Sequence, residues 1–149
     1  MVVFDINYMA ILLSGVGSMV LGFIWYNPKV FGDKWLSSLG RLPFTKEEGV
    51  TMQKSMPKTY VASFFASLVT AYVLAHVVDA FDVESLASGV QTGFLMWLGF
   101  GLIGVVSYFL YERNLTLGGR GNAPLHFLIT AGYHLVNFIM MGIILSFWQ

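Results

Sequence analysis

Residues 121–149, GNAPLHFLITAGYHLVNFIMMGIILSFWQ, form the longest stretch of the chain without Asp, Glu, Lys or Arg. A helix that crosses the hydrocarbon core of a bilayer needs about 20 predominantly apolar residues, so this stretch is long enough to span it. Three other uncharged runs of sufficient length occupy residues 6–28, 59–78 and 85–111. The sequence therefore predicts an all-α membrane protein, a bundle of four transmembrane helices with spans at about 8–26, 59–78, 87–111 and 125–148.

The composition excludes several other classes of protein. Of the 149 residues, 56% are apolar and 11% are charged, whereas about a quarter of a typical soluble domain is charged. The alternation of apolar and polar residues that a transmembrane β-barrel needs is absent. Eight Lys/Arg balance eight Asp/Glu, so no basic excess points to a nucleic-acid partner, and the absence of Cys rules out disulfides and Cys-ligated metals. We expect one domain over residues 1–149, without cofactor or metal.

The basic residues all fall in two of the predicted loops, 27–58 and 112–124. In the loop between the second and third spans the only charged residues are acidic, and both tails lack Lys and Arg. Because cytoplasmic loops carry an excess of Lys and Arg, we expect loops 27–58 and 112–124 to be cytoplasmic and both termini to lie outside. The basic residues are Lys29, Lys34, Arg41, Lys46, Lys54, Lys58, Arg113 and Arg120.

The first loop has structure of its own. Phe31, Trp35 and Leu39 recur at intervals of four residues among polar neighbours, which predicts a short amphipathic helix lying in the headgroup region between the first two spans. Aromatic residues of this kind anchor membrane proteins at the interface. The predicted interfacial anchors are Trp25, Tyr26, Phe31, Trp35 and Trp148.

A second helix is predicted further along the same loop. Thr45 and Glu48 have the spacing of a capping box, which predicts that a cytoplasmic helix begins there. Pro57 suits the first turn of the second span, because proline is favoured at the first position of a helix.

The fourth span carries a polar stripe, formed by His126, Thr130, Tyr133, His134 and Asn137. At 3.6 residues per turn these positions fall within an arc of about 100° on one helix face. One interpretation is hydrogen bonding between helices, worth about 0.6 kcal/mol per bond. The other is a pathway for protons or a small polar solute, lined by the stripes of several copies, with His134 as the best single candidate because imidazole titrates near neutral pH.

Other chemistry finds little support. His126 and His134 are about 12 Å apart along a helix, so they cannot share one metal within a chain. The sequence has no nucleophile elbow, HExxH motif or P-loop, so we do not expect an enzyme. The spans also lack the charged residues that ion-coupled transporters commonly place at bilayer depth.

Small residues repeat every four positions on three spans, which permits close approach of helices. They do not tell whether the partner helix belongs to the same chain or to another copy, so a homo-oligomer remains open. The positions are Ser14, Ser18 and Gly22; Ser63, Ser67, Ala71 and Ala75; and Gly89 and Gly93.

Several motifs together resemble one known family. They are WYNPKVFGDKW at 25–35, WLGF at 97–100, YER at 111–113, AGYH at 131–134 and a near-terminal Trp148. This set resembles the domain-of-unknown-function 1761 family of small polytopic membrane proteins. The resemblance implies a four-span membrane fold but no substrate, cofactor or catalytic residue.

Two functional hypotheses follow from the sequence. The first is an oligomeric pathway for protons or a small solute, lined by the polar stripe of the fourth span. The alternative is a structural or accessory membrane protein that meets lipid or a partner through its basic interfacial loop. The identity of any small-molecule ligand stays open.

Overall fold

A computed structural model describes residues 4–41, 45–115 and 121–148. This part of the chain is helical and contains no strand. Four stretches are long and apolar enough to cross a membrane: Tyr8–Trp25, Glu47–Ala80, Leu86–Tyr111 and Ala123–Phe147. The predicted all-α, four-span class is confirmed. The α-helices are α1 (Tyr8–Trp25), α2 (Asp33–Ser38), α3 (Lys46–Ala80), α4 (Leu86–Met96), α5 (Leu102–Leu115) and α6 (Ala123–Phe147), with π-helical segments at Pro28–Gly32 and Trp97–Gly101.

The α3 helix corrects one prediction. The capping box is present, since the Glu48 N–H donates to Thr45 Oγ1 at 3.2 Å and the Thr45 N–H donates to Glu48 Oε2 at 2.9 Å. The sequence predicts one helix beginning at Thr45 and a new helix with Pro57 in its first turn. This prediction is wrong, because α3 runs unbroken through Pro57. Proline removes one intrahelical hydrogen bond and crowds the preceding turn. The helix nevertheless continues, and no glycine, the usual residue at a helix end, lies within seven residues of Pro57.

The length of α3 carries its beginning out of the membrane. Its 35 residues extend about 52 Å at 1.5 Å per residue, while the hydrocarbon core is about 30 Å thick. Roughly the first four turns therefore project beyond the core on the side of loop 27–58. In this projecting part, the hydrogen bonds from the Thr45 backbone and side chain hold the pKa of the Glu48 carboxyl below its usual value.

The α6 helix is the centre of the bundle and contacts each of the other five α-helices. Its closest neighbour is α4, where Gly89 and Gly93 face Gly142. A Cβ added at Gly93 would lie 2.8 Å from Ile139 Cα, and one added at Gly142 would lie 3.1 Å from the Gly93 nitrogen. The small residues that open the third span therefore pack within the chain.

The α1 helix packs against α3 and α6. Gly15 of α1 lies against Leu68, since a Cβ there would come within 3.3 Å of the Leu68 Cγ. Most of the remaining small residues of both helices are buried, whereas Ser63 is exposed. The buried hydrophobic core centres on these helices and on the second half of α6; it comprises Ala10, Ile11, Ala71, Leu74, Ala75, Val78, Val83, Met141 and Leu145.

The predicted helix in the first loop takes a different form. A π-helical turn comes first, closed by the Gly32 N–H bonding to the Asn27 carbonyl at 2.9 Å, and the six-residue α2 follows it. Gly32 is buried, and a Cβ at this position would collide with the Tyr26 carbonyl. A short helix therefore exists here, and its location in the headgroup region stays a prediction.

Described residues near both ends of the chain lie at one end of the bundle. A small cavity there is lined by Asp5 and Asn7 near the beginning of the chain, Asp79 at the end of α3, and Trp148. This arrangement is the one expected for an even number of spans. That this end faces outside stays a prediction. Residues 116–120, which include Arg120, lie outside the described residues.

Candidate functional site: a polar and aromatic seam along the last helix

The polar stripe of α6 begins at a capped helix end. The Asn122 side chain accepts from the Leu125 N–H at 3.1 Å, and Pro124 lies in the first turn. His126 and Asn137 are buried, and the three stripe residues between them are half-buried. The stripe therefore lies mostly inside the bundle, where polar groups need partners.

His126 joins α6 to the first loop. The Ser38 hydroxyl donates to the Trp35 carbonyl at 2.6 Å and lies 3.3 Å from His126 Nδ1. Because the hydroxyl hydrogen is already used, Nδ1 carries the proton and donates to Ser38 Oγ. The Asn122 N–H also donates to the Ser38 carbonyl at 2.8 Å. Ser38 thus fastens α2 to the beginning of α6.

Tyr133 joins α6 to α1. Its hydroxyl donates to the Ser18 carbonyl at 3.3 Å and lies 3.5 Å from Ser18 Oγ. Gly22 also faces this hydroxyl, since a Cβ there would lie 3.5 Å from it, in ordinary contact. The Tyr133 ring lies 5.3 Å from Tyr26 and 6.3 Å from Trp25, measured between centroids. This stripe residue faces α1.

Two polar atoms of the seam are buried without a hydrogen bond near the end where α1 meets the first loop. Thr130 lies close to the Tyr26 hydroxyl, yet in the described part of the chain its Oγ1 makes no hydrogen bond of good geometry. Trp35 Nε1 is also unpartnered there, although its ring lies 5.3 Å from Tyr26 and 5.7 Å from His126.

His134 and Asn137 continue the stripe. The half-buried His134 ring lies 5.3 Å from Tyr133, its neighbour in sequence. Asn137 is buried, and its Oδ1 has no hydrogen-bond partner among residues 4–41, 45–115 and 121–148. Over those same ranges no three His, Asp or Glu side chains come together as metal ligands would.

The predicted interfacial anchors separate into two groups. Trp25 stacks near Phe31 with ring centroids 4.8 Å apart, and Tyr26 and Trp35 lie beside them. These four residues form one aromatic cluster at the end of the bundle where α1 meets the first loop. Trp148 is half exposed and lies at the opposite end.

Two tryptophans hold the middle of the stripe, and the sequence did not indicate this role. Trp25 Nε1 donates to the Ile129 carbonyl at 3.1 Å, and Trp97 Nε1 donates to the Ala131 carbonyl at 3.2 Å. A Cβ on Gly132 would lie 3.2 Å from Trp25 Cζ2, so glycine is what lets the indole approach the helix. Three separate sequence motifs thus meet at one level of α6.

These motifs are the ones that resemble a known family, and the comparison with that family agrees. The family model described as "Protein of unknown function (DUF1761)" matches residues 9–146. The chain belongs to the DUF1761 family. It is also 26% identical over 107 residues to a UPF0591 membrane protein of Schizosaccharomyces pombe, an alignment that covers 72% of each chain. No solved structure matches it significantly. The likeness of this DUF1761 protein to a membrane protein agrees with its four spans.

Proposed function

We propose that this DUF1761 protein is an accessory membrane protein whose basic interfacial loop binds anionic lipid headgroups. The observation that carries the proposal is the fixed attachment of residues 25–41 to α6. Trp25 bonds to the Ile129 carbonyl at the beginning of this segment, and Ser38 bonds to His126 and Asn122 near its end. We call this segment the interfacial platform.

The platform directs its charges away from the bundle. Phe31, Trp35 and Leu39 are half-buried, whereas Lys29, Lys34 and Arg41 are exposed. A basic side chain near an anionic membrane surface contributes about 1 kcal/mol to binding. Because the backbone is already fixed, holding a headgroup there orders only side chains, which lowers the entropic cost of binding.

Loop 27–58 as a whole has the charge that this role requires. Its six Lys/Arg outnumber its three Asp/Glu, Asp33, Glu47 and Glu48, which leaves a net charge of +3. Lys54 and Lys58, one turn apart on the projecting part of α3, are exposed as well. The aromatic cluster where α1 meets the first loop has the composition of residues found at the headgroup level of a bilayer.

The test compares lipid binding by charge-neutral and charge-preserving variants. Native mass spectrometry would count phosphatidylglycerol and phosphatidylcholine molecules retained by the purified protein. In K29Q/K34Q we expect a several-fold loss of phosphatidylglycerol adducts and no change in phosphatidylcholine adducts, while K29R/K34R should match the original protein. Equal retention of phosphatidylglycerol by all three proteins would overturn the proposal.

The second candidate function is a pathway for protons or a small polar solute. It is favoured by the buried unpartnered atoms of Thr130 and Asn137, since polar groups inside a membrane often line water-filled routes. After Asn137, however, the next polar residue of α6 is Ser146. A continuous route would therefore need the stripe of a second copy.

A flux assay separates the two functions. Liposomes containing the protein would be tested for proton and small-solute leakage, with H134A as the variant and H76A as the control. His76 lies on α3, where Nδ1 donates to the Tyr72 carbonyl at 2.8 Å. A pathway requires flux that H134A reduces and H76A leaves unchanged; no flux above empty liposomes would sink it.

A further inference from the structure

An open groove runs between α1 and α3, and residues of these two helices line it. Its volume is about 360 Å³, more than twice that of a cavity that holds benzene in a protein core. Apart from the hydroxyls of its two tyrosines, the groove offers only hydrocarbon surface. The lining residues are Tyr8, Ile11, Leu12, Leu68, Val69 and Tyr72.

The groove opens toward the lipid near one end of the bundle. Phe4 contacts His76 where α1 begins and α3 ends, and Phe23 contacts Tyr60 near their other ends, with ring centroids 4.8 and 5.1 Å apart. The two helices are therefore antiparallel. The Tyr72 ring lies 4.4 Å from His76, so the tyrosines form the end of the groove that faces Phe4. The two leucines lie about one turn deeper in the spans.

A second copy of the chain does not suit this groove. Stable interfaces between proteins take about 20–30 residues from each partner, whereas six line the groove. Helix association in a membrane also needs small residues at the contact, but three beside the groove, Ser14, Ser67 and Ala71, are already buried within the chain. Large side chains are exposed instead, Leu12 at 44% and Val69 at 64%. A flexible acyl chain, which is as apolar as leucine, fits such a surface.

The charges beyond the tyrosines restrict the headgroup of that lipid. Asp79 follows Tyr72 by seven residues, about 10 Å along α3, and Asp5 precedes Tyr8 by three. Both aspartates border the small cavity at this end of the bundle. All eight Lys/Arg fall in loops 27–58 and 112–124, so no basic side chain offsets the aspartates. A headgroup with a positive charge is therefore attracted here, and a headgroup with a net negative charge is repelled.

We propose that the groove binds one acyl chain of a phospholipid whose headgroup carries a positively charged amine, as in phosphatidylethanolamine. The chain lies along Leu12 and Val69, the tyrosine hydroxyls donate to the ester carbonyls, and the amine faces Asp5 and Asp79. Tyrosine suits this position because one end of its side chain is apolar and the other is polar. The site lies at the opposite end of the bundle from the interfacial platform and prefers a different headgroup, so it does not rest on the proposed function.

Photocrosslinking in liposomes tests the groove. The full-length protein would be irradiated with phosphatidylethanolamine that carries a diazirine on one acyl chain, and mass spectrometry would locate the adducts. We expect several-fold more adducts on Leu12 and Val69 than on Val73, which is 50% exposed on the same helix but outside the groove. V69W fills the groove and should remove most Leu12 adducts, whereas V73W should leave them unchanged. Adducts spread evenly over exposed residues, or Leu12 adducts that survive V69W, would overturn the proposal.

A second probe, phosphatidylglycerol with the same diazirine chain, tests the headgroup preference. In the original protein phosphatidylethanolamine should label Leu12 several-fold more than phosphatidylglycerol does. D5N/D79N should remove this difference, whereas D33N, which changes an exposed aspartate at the other end of the bundle, should preserve it. Equal labelling of the original protein by both probes would refute the amine preference.

Two further variants separate the remaining outcomes. Disulfide-linked dimers of L12C formed in the liposomes would identify a second copy as the occupant and would also overturn the proposal. K29Q/K34Q, which neutralises the interfacial platform, should leave Leu12 labelling unchanged. The groove can therefore fail while the platform binds lipid, or the reverse.

Discussion

The indole nitrogens of Trp25 and Trp97 bond to α6 from opposite sides, through the carbonyls of Ile129 and Ala131. These carbonyls are two residues apart, which separates them by about 200° around the helix axis. The carbonyl oxygen of a helical residue has a second lone pair, so each can accept the indole without losing its intrahelical bond. The first and third spans are thereby tied to the last one at a single depth.

Removing either indole hydrogen bond should weaken the fold. W25F and W97F keep an aromatic ring but lose the donor, and each should lower the free energy of unfolding by about 1 kcal/mol. Unfolding by a denaturing detergent measures this. W148F is the control, because Trp148 is half exposed at the other end of the bundle. If W25F and W97F lowered the free energy of unfolding no more than W148F does, the two hydrogen bonds would contribute nothing to stability.

The contact between α4 and α6 should be the least tolerant of added volume. In G93A the new methyl group would meet the Phe138 carbonyl and Ile139 Cα, both backbone atoms that cannot turn aside. Overpacking of this kind costs about 1–3 kcal/mol, measured as a fall in thermal stability.

A matched control for that substitution lies on the same span. At Gly104 the described residues leave open space around an added Cβ. Alanine is also the better helix former, so G104A should be neutral or stabilising by up to about 1 kcal/mol. If G93A and G104A behaved alike, the close approach of Gly93 to α6 would be refuted.

Ser38 should control how firmly the interfacial platform is attached. S38A removes the hydroxyl that accepts from His126, while S37A changes the exposed neighbour. We expect trypsin to cleave after Lys34 or Arg41 several-fold faster in S38A than in S37A, because cleavage needs the segment to open locally. Equal cleavage rates would show that the backbone bond from Asn122 alone holds the segment.

The bond between Tyr133 and Ser18 predicts an asymmetry between two substitutions. Y133F deletes the donor and should cost about 0.6 kcal/mol, the typical value for a hydrogen bond between membrane helices. S18A should cost less, because the tyrosine hydroxyl donates to the Ser18 carbonyl, which the substitution keeps. Unfolding measurements on both variants test this. If S18A lost more unfolding free energy than Y133F, the contact to Ser18 Oγ would be the stronger of the two.

The absence of native cysteine allows a direct test of orientation. D82C lies in the acidic turn between α3 and α4, and K54C lies on the projecting part of α3. If the basic loops are cytoplasmic, a membrane-impermeant maleimide should label D82C in intact cells and K54C only after permeabilisation. The reverse pattern would place both termini inside.

The charge distribution was sufficient to predict the four spans, because only helices can satisfy their backbone in lipid. The partners of each helix were not predictable in the same way. Gly89 and Gly93 indicated a close contact, but Gly142 becomes their partner only when α4 and α6 pack together, which neither segment shows by itself. The unbroken course of α3 through Pro57 was missed because a local preference for a helix start gave way to the surrounding helix-forming sequence.

The stripe on α6 illustrates the same limit within the candidate site. Periodicity placed His126, Tyr133 and Asn137 on one face, and the structure assigns them different neighbours: α2 and α1 for the first two, and an unpartnered position for the third. Which groups find a partner depends on residues far away in sequence, such as Ser38 and Ser18.

The unbroken α3 helix connects the part of the chain beyond the hydrocarbon core to the buried core of the bundle. By length, its capped first turns extend beyond the hydrocarbon core, and its last turns, around Leu74 and Val78, are packed in the buried core of the bundle. Pro57 lies between these two parts and removes one intrahelical hydrogen bond, so it is the point where the helix bends most easily when the exposed tip is tilted. A tilt of the tip would therefore be absorbed in part at Pro57 before it reached the end of the bundle where Asp5 and Trp148 lie.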